Sequence, residues 1–166
     1  MIPPTMSKLK VRDLMTTQVV TLQPTDTIKR AAIKFAIDNI SGAPVVDRRN
    51  HLLGILSEND ILRVIYKYQL KLDKENAGSV MLNYSMDSSS EGDDELKRIS
   101  EEISNMAVED IMTRTVLTTG PDASIMEVLK SMIEMGVNRV PVVEKGVVLG
   151  VISRADIIFA LYKRKV

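Results

Sequence analysis

The chain repeats itself. Residues 11–47, VRDLMTTQVVTLQPTDTIKRAAIKFAIDNISGAPVVD, align without a gap on residues 108–144, VEDIMTRTVLTTGPDASIMEVLKSMIEMGVNRVPVVE, at a spacing of 97. One residue is then lost, and LLGILSENDILRVIYK (52–67) lies on VLGVISRADIIFALYK (148–163) at a spacing of 96. A duplication constrains the fold more than any single motif, because both copies must adopt one element order and bury comparable faces. Each copy is only about 57 residues long, too short to bury a robust core alone. The copies are therefore expected to pack together about a pseudo-twofold axis.

The patterning predicts the same elements twice. A short helical turn (VRDLM, VEDIM) leads into a brief strand, QVVTL or TVLTT. A capping residue then opens a helix: Thr25 or Asp26 in the first copy, Asp122 or Ser124 in the second. Ile28, Ala31, Ala32, Phe35 and Ala36 fall three and four apart, as do Ile125, Val128, Leu129, Met132 and Ile133, the spacing of one buried helix face. Strand APVVD or VPVVE, the turn RRNH or KG, strand LLGILS or VLGVIS, and a last helix (60–68 or 156–162) complete each copy. The fold class is thus mixed α/β, with strand-helix-strand-strand-helix order in each of two domains.

The expected boundaries are a lead at 1–8, a first domain at 9–67, an insertion at 68–107 and a second domain at 108–166. Within the insertion, SVMLNYSM (79–86) reads as extended and the acidic, serine-rich MDSSSEGDDE (86–95) as an exposed mobile loop. Leu96, Ile99, Ile103 and Met106 then form the thin apolar stripe of a helix lying on the body. The insertion reads as a surface addition, with a partner-docking or gating element as the alternative.

Composition removes several function classes. Lysine plus arginine equals aspartate plus glutamate, 22 against 22, so there is no surplus positive charge for a phosphate backbone and nucleic acid is not an expected partner. Without cysteine, disulfides, thiolate metal sites and cysteine nucleophiles are excluded. The single histidine, His51, falls in the predicted strand–strand turn and leaves no zinc cluster and no serine–histidine dyad. The P-loop pattern is absent. No catalytic residue and no metal ligand set is expected, so the chain reads as a non-enzyme. No apolar run is long enough to span a bilayer, and the start MIPPTMSKLK lacks the apolar stretch of a signal peptide. A cytoplasmic protein with no membrane partner is expected.

Two features recur in register: a serine three residues before an aspartate (GILSEND, GVISRAD) and an apolar-Pro-Val-Val strand (APVVD, VPVVE). With DLMT and DIMT at the front of each copy, the chain resembles a tandem pair of cystathionine-β-synthase (CBS) domains, a Bateman module, over about 113 of its 166 residues. The resemblance implies two β-sheets packed through their helices and two clefts between the copies. It implies no cofactor, but a regulatory adenosine-containing ligand such as AMP, ADP, ATP or S-adenosylmethionine. It also implies that each cleft takes its serine and aspartate from one copy, and its first strand and pre-Pro-Val-Val residues from the other. One cleft then combines Ser57 and Asp60 with Thr113, Val116, Leu117, Asn138, Arg139 and Pro141. The other combines Ser153, Arg154 and Asp156 with Thr16, Val19, Val20, Ser41, Gly42 and Pro44.

The chemistry suits those residue types. A carboxylate accepts both ribose hydroxyls, as the acidic residue of dinucleotide folds does. A serine hydroxyl and the free amides of a helix N-terminus face a phosphate, while valine and leucine cover an adenine face. Ser-x-x-Asp at a helix start is equally a capping box, in which the two side chains satisfy the helix's own amides. The copies differ where charge matters: Arg139 stands against Gly42 before Pro-Val-Val, and Arg154 against Glu58 after the motif serine. On the cleft assignment above, the Arg139 cleft is expected to bind a nucleotide more tightly, with Arg154 able to hold a phosphate in the other. The leading functional expectation is a stand-alone regulatory sensor, a homodimer acting on a protein partner the sequence does not identify. The alternative is a ligand-independent dimerisation scaffold with degenerate clefts.

Overall fold

The computed structural model describes residues 6–77 and 91–163. After a 3-10 turn at Met6–Lys8, the first copy runs α1 (Val11–Leu14), α2 (Ile28–Asp38), β1 (Gly42–Val46), β2 (Leu52–Ser57) and α3 (Glu58–Ala77). Helix α4 (Glu91–Ser104) precedes the second copy, which runs α5 (Val108–Ile111), α6 (Ile125–Met135), β3 (Arg139–Glu144), β4 (Val147–Ser153) and α7 (Arg154–Lys163). The strands form two separate hairpins, β1–β2 and β3–β4, so the class is mixed helix and strand.

The predicted strands QVVTL and TVLTT do not form. Each makes one parallel bridge only, Leu22 to Val45 and Thr119 to Val142. Thr119 N donates to Pro141 O at 3.1 Å and Thr119 O accepts Val143 N at 2.8 Å. The next rung would require the amide of residue 141, and proline has none. Pro44 stops the first copy in the same way, where Leu22 N donates to Pro44 O at 2.9 Å.

Contacts divide the chain into two compact units that cut across the sequence copies. The first unit holds Met1–Thr21, Val46–Gly54 and Arg114–Val166; the second holds Leu22–Val45 and Ile55–Thr113. Each unit seats the front turn of one copy on the helix and hairpin of the other. In the first unit Val11 N donates to Ala123 O (3.0 Å), Arg12 N to Pro121 O (2.9 Å) and Ile125 N to Leu9 O (3.1 Å). The second unit repeats this 97 residues on or back: Val108 N to Asp26 O (2.8 Å), Glu109 N to Pro24 O (3.0 Å) and Ile28 N to Met106 O (2.9 Å). The aspartate of each front motif closes its short turn, Asp13 Oδ2 accepting Lys10 N at 2.9 Å and Asp110 Oδ2 accepting Ala107 N at 3.3 Å.

Each unit has its own core. Val11 packs with Ile125, Met132, Val140, Val142 and Ile152 in the first, and Val108 with Ile28, Phe35, Val45 and Leu56 in the second. Full burial of one such aliphatic side chain contributes roughly 1.5–3 kcal/mol, so the exchanged turns are held mainly by Val11 and Val108. The exposed Arg12–Asp122 pair at 2.7 Å adds little beside that.

The helix faces are narrower than their periodicity suggests: Ala32, Ala36 and Ile133 are exposed, while Ile28, Ala31, Phe35, Ile125, Val128 and Met132 are buried. The first helix is capped by Thr27 rather than Thr25 or Asp26, its hydroxyl accepting Arg30 N at 3.2 Å. Asp26 instead accepts Gln23 N at 2.8 Å, shaping the turn before the helix. Ser124 caps α6 through Met126 N at 3.2 Å. Both helices end on a left-handed residue, Asn39 (φ 52°) and Gly136 (φ 65°). Gly136→Ala is expected to lower stability by about 1 kcal/mol, since a Cβ disfavours that conformation; a chemical melt measures it.

The insertion departs from expectation. Helix α3 runs on to Ala77, well beyond the predicted end at 68. Residues 91–95, expected in a loop, open α4, where Asp94 and Glu95 sit favourably near the helix N-terminus. The rest of that expected loop, and the segment 79–86, lie outside the described residues. Of the predicted stripe, Ile103 is buried in the second unit's core with Ile99 and Met106 packed against it, whereas Leu96 is exposed. His51 is half-buried rather than an exposed turn residue, its ring 3.3 Å from Asp47 Oδ2. The His51 amide, then the Arg49 amide and the His51 ring, hold the Asp47 carboxyl below the usual carboxylate range. A depressed carboxylate stabilises the fold above its unfolded pKa, and that contribution disappears as pH falls through the folded value.

Candidate functional site

The two Ser-x-x-Asp motifs fold alike, each where a β-hairpin runs directly into a helix. Their register sets the neighbours within each hairpin. In the second hairpin Arg139 pairs with Ser153 and Pro141 with Val151, so the Arg139 and Ser153 side chains share a face. Arg154 N donates to Asn138 O at 3.0 Å. Thr16 joins them through a two-bond antiparallel bridge to Val151, at 2.9 and 3.0 Å. The first unit therefore gathers Thr16, Asn138, Arg139, Ser153 and Asp156.

The second unit gathers the counterparts. Glu58 N donates to Ser41 O at 2.9 Å, and Thr113 bridges Ile55 at 2.8 and 2.9 Å. A Cβ on Gly42 would lie 3.4 Å from Ser57 Cβ, so Gly42 faces Ser57 as Arg139 faces Ser153. The threonine of each front motif comes from the other copy. Within its own hairpin Arg139 lies beside Ser153, and Gly42 beside Ser57. The reason is elementary: a tight antiparallel hairpin sets the start of its first strand beside the end of its second. Pro44 and Pro141 are buried and serve as carbonyl acceptors for Leu22 and Thr119. Val19, Val20, Val116 and Leu117 are half-buried. Leu117 packs on the first unit's core and lines, with Thr119, Val128 and Val140, a pocket of about 90 Å³.

Both motifs make the capping geometry, but they use their carboxylates differently. Asp156 Oδ2 accepts Ser153 N at 2.9 Å, and Asp156 N donates to Ser153 Oγ at 3.2 Å. Its Oδ1 has no hydrogen-bond partner among the described residues. Asp60 is buried, with 7% of its surface exposed. Its Oδ2 accepts both the amide (2.8 Å) and the hydroxyl (2.9 Å) of Ser57, and its Oδ1 accepts the Thr113 hydroxyl at 3.1 Å. Sequence patterning named Thr113 and Asp60 but not their bond, which joins residues 53 positions apart.

Arg154 is otherwise engaged. Its Nε donates to Val137 O at 3.1 Å and its Nη2 to Met132 O at 3.4 Å, where a cation meets the negative end of the α6 dipole. Arg139 is half-buried at the mouth of the hairpin. Among the described residues no cluster of three or more His, Cys, Asp or Glu could hold a metal ion, and no helix is long and apolar enough to cross a membrane.

The CBS domain family matches residues 11–67 and 108–163. The uncharacterized Methanocaldococcus jannaschii protein MJ1426 is 29% identical over 91% of this chain and 90% of its own length. Protein MJ1225 of the same organism is 27% identical over 89% of this chain, which spans only 41% of that relative. Among solved structures, the CBS domain of a CBS domain-containing membrane protein from Sphaerobacter thermophilus is 28% identical with a TM-score of 0.68, covering 93% of this chain and 89% of its own. Two further structures share the fold at lower identity. CBSX2 in complex with AMP is 21% identical with a TM-score of 0.68, covering 95% of this chain and 98% of its own. The CBS domain pair of protein MJ0100, in complex with 5-methylthioadenosine and S-adenosylmethionine, is 23% identical with a TM-score of 0.64 over 95% and 98%. With both sequence copies matched and the exchanged front turns in place, this chain belongs to the CBS domain family and carries two copies of the domain.

Proposed function

We propose that the chain is a non-catalytic regulatory module that binds an adenosine-containing ligand of the AMP, ADP, ATP or S-adenosylmethionine kind. One observation carries this reading: Asp156 keeps a carboxylate oxygen without a partner at the start of α7, beside Ser153, Arg139 and Thr16. An open carboxylate oxygen accepts ribose hydroxyls, and the α7 N-terminus with Arg139 suits a phosphate. The ligands seen on structural neighbours, AMP in one and S-adenosylmethionine in another, fit that chemistry. Regulation then follows from population shift: ligand favours the conformation it binds better, and a protein partner responds to that conformation.

A thermal-shift series with AMP, ADP, ATP, NAD, S-adenosylmethionine and methylthioadenosine tests the reading. At a hundredfold its dissociation constant a binder adds about 2.7 kcal/mol of stability, a shift of several degrees for a chain this size. Absence of any shift with all six compounds overturns it. Arg139→Ala is expected to weaken AMP by about tenfold while leaving methylthioadenosine, which has no phosphate, within twofold, since a charge-assisted bond is at stake only for the former.

A second reading is an assembly module, and a specific feature favours it. Ile158, Phe159, Leu161 and Tyr162 on α7 are all exposed, as are Leu62, Ile65, Tyr66 and Leu70 on α3, and apolar helix faces of this kind are suited to association. A homodimer that persists without ligand, and that Phe159→Glu dissociates in sedimentation velocity, is the expected result of that reading.

A further inference from the structure

The pocket beside α6 has no use in the reading above. Leu117, Val128 and Val140 make its apolar floor, and Thr118, Glu127 and Ser131 supply its polar groups, around a volume of about 90 Å³. In the first copy larger side chains stand at the corresponding positions. At a spacing of 97, Thr119 is matched by Leu22, which is only 1% exposed, and Ala123, Glu127 and Ser131 are matched by Asp26, Arg30 and Lys34. Asp26 Oδ1 lies 3.6 Å from Arg30 Nε, so an ion pair spans the place that Ala123 and Glu127 leave open. The second copy thus combines three smaller side chains with a reversal of charge.

Strand geometry separates this pocket from the Ser-x-x-Asp motif. Successive side chains of a strand point to opposite faces. Arg139 shares a face with Ser153, so Val140 lies on the other, where it joins Val128 and Met132 of α6 in the first unit's core. The polar groups of the pocket are uncommitted. Among the described residues the side chains of Thr118, Glu127 and Ser131 have no hydrogen-bond or ion-pair partner. Lys130, the one cation of α6, is set on Glu134 at 3.9 Å. An alkylammonium group suits this set. Its methylenes cover the apolar floor, and its N–H donors meet a carboxylate and two hydroxyls.

We propose that this pocket is a ligand site for a small alkylammonium compound, independent of any adenosyl ligand. Titration of the full chain with n-butylammonium, followed by amide NMR, is the test. Saturable shifts are expected at the amides of 117–119 and 127–131. The uncharged n-butanol is expected to bind about two- to fivefold more weakly, the worth of an exposed ion pair, and butyrate not to bind. Glu127→Gln is expected to bring n-butylammonium down to the level of n-butanol. Thr119→Leu, which installs the residue of the first copy, is expected to remove binding of both; should it unfold, the Glu127→Gln comparison still decides. Nα-acetyl-lysine methylamide presents the same group on a main chain, and affinity no greater than that of n-butylammonium is expected. Tighter binding of the blocked lysine would assign the pocket to a protein partner and overturn the proposal. Absence of shifts at these amides, equal binding of n-butanol, or unchanged affinity in Glu127→Gln also overturns it, whatever AMP does.

Discussion

Asp60→Ala is expected to cost about 3 kcal/mol of folding stability, and Asp156→Ala only about 1 kcal/mol, although the two residues are repeat equivalents. The difference follows from what each carboxylate holds. Removing Asp60 leaves the Ser57 amide and hydroxyl and the Thr113 hydroxyl without their acceptor at a position with 7% exposure, where water cannot easily replace it. Removing Asp156 releases only the Ser153 amide, at a half-exposed helix start, which is an ordinary capping loss. Urea melts of the two variants measure the contrast. A double-mutant cycle with Thr113→Val separates the Thr113–Asp60 bond from general burial: a coupling energy above about 0.5 kcal/mol is expected for the pair. Equal costs for the two alanine variants, or zero coupling, would show that Asp60 is no more than a second helix cap.

The repeat and its element order were legible because they are local. Spacing, helix periodicity and the Pro-Val-Val strands each depend on residues a few positions apart, and they predicted α2, α6, both hairpins and the helices that follow them. What escaped was set by partners distant in sequence. Nothing in the run Val11–Met15 says that its apolar residues fill a core with Ile125 and Met132 rather than with their own α2. The segments QVVTL and TVLTT have strand composition, but the missing amides of Pro44 and Pro141 on another segment end their ladders after one bridge. Nor does the position of Arg154 after a motif serine show that it reaches back to α6, where a left-handed Gly136 ends the helix and leaves carbonyls for its guanidinium. The grouping of Arg139 with Ser153 was within reach of the sequence, since a two-residue turn at Lys145–Gly146 fixes the hairpin register.

Gly150, three residues before the motif serine of the second copy, has a use that only the exchanged front turn explains. A Cβ placed on Gly150 would stand 2.7 Å from the Thr16 carbonyl oxygen and 3.1 Å from Met15 Sδ. The sulfur can swing aside, but the oxygen is backbone and already accepts Val151 N at 3.0 Å. The methyl group of Gly150→Ala must therefore push the front segment off β4, stretching both bonds of the Thr16–Val151 bridge and lifting Met15 from its packing on the first unit's core. Overpacking of this kind costs about 1–3 kcal/mol, or a melting temperature lower by roughly 2–10 °C for a chain of this length. Gly120→Ala is the control, since nothing lies within 4 Å of its Cβ and its φ is not positive; a change within about 0.5 kcal/mol is expected. Because Thr16 bridges the strand that runs into Ser153 and Asp156, Gly150→Ala is expected to weaken AMP binding together with stability, whereas Gly120→Ala leaves both unchanged. Should Gly150→Ala melt with the unaltered chain, the close seating of the front turn on β4 is wrong, and with it the gathering of Thr16 into the Asp156 site.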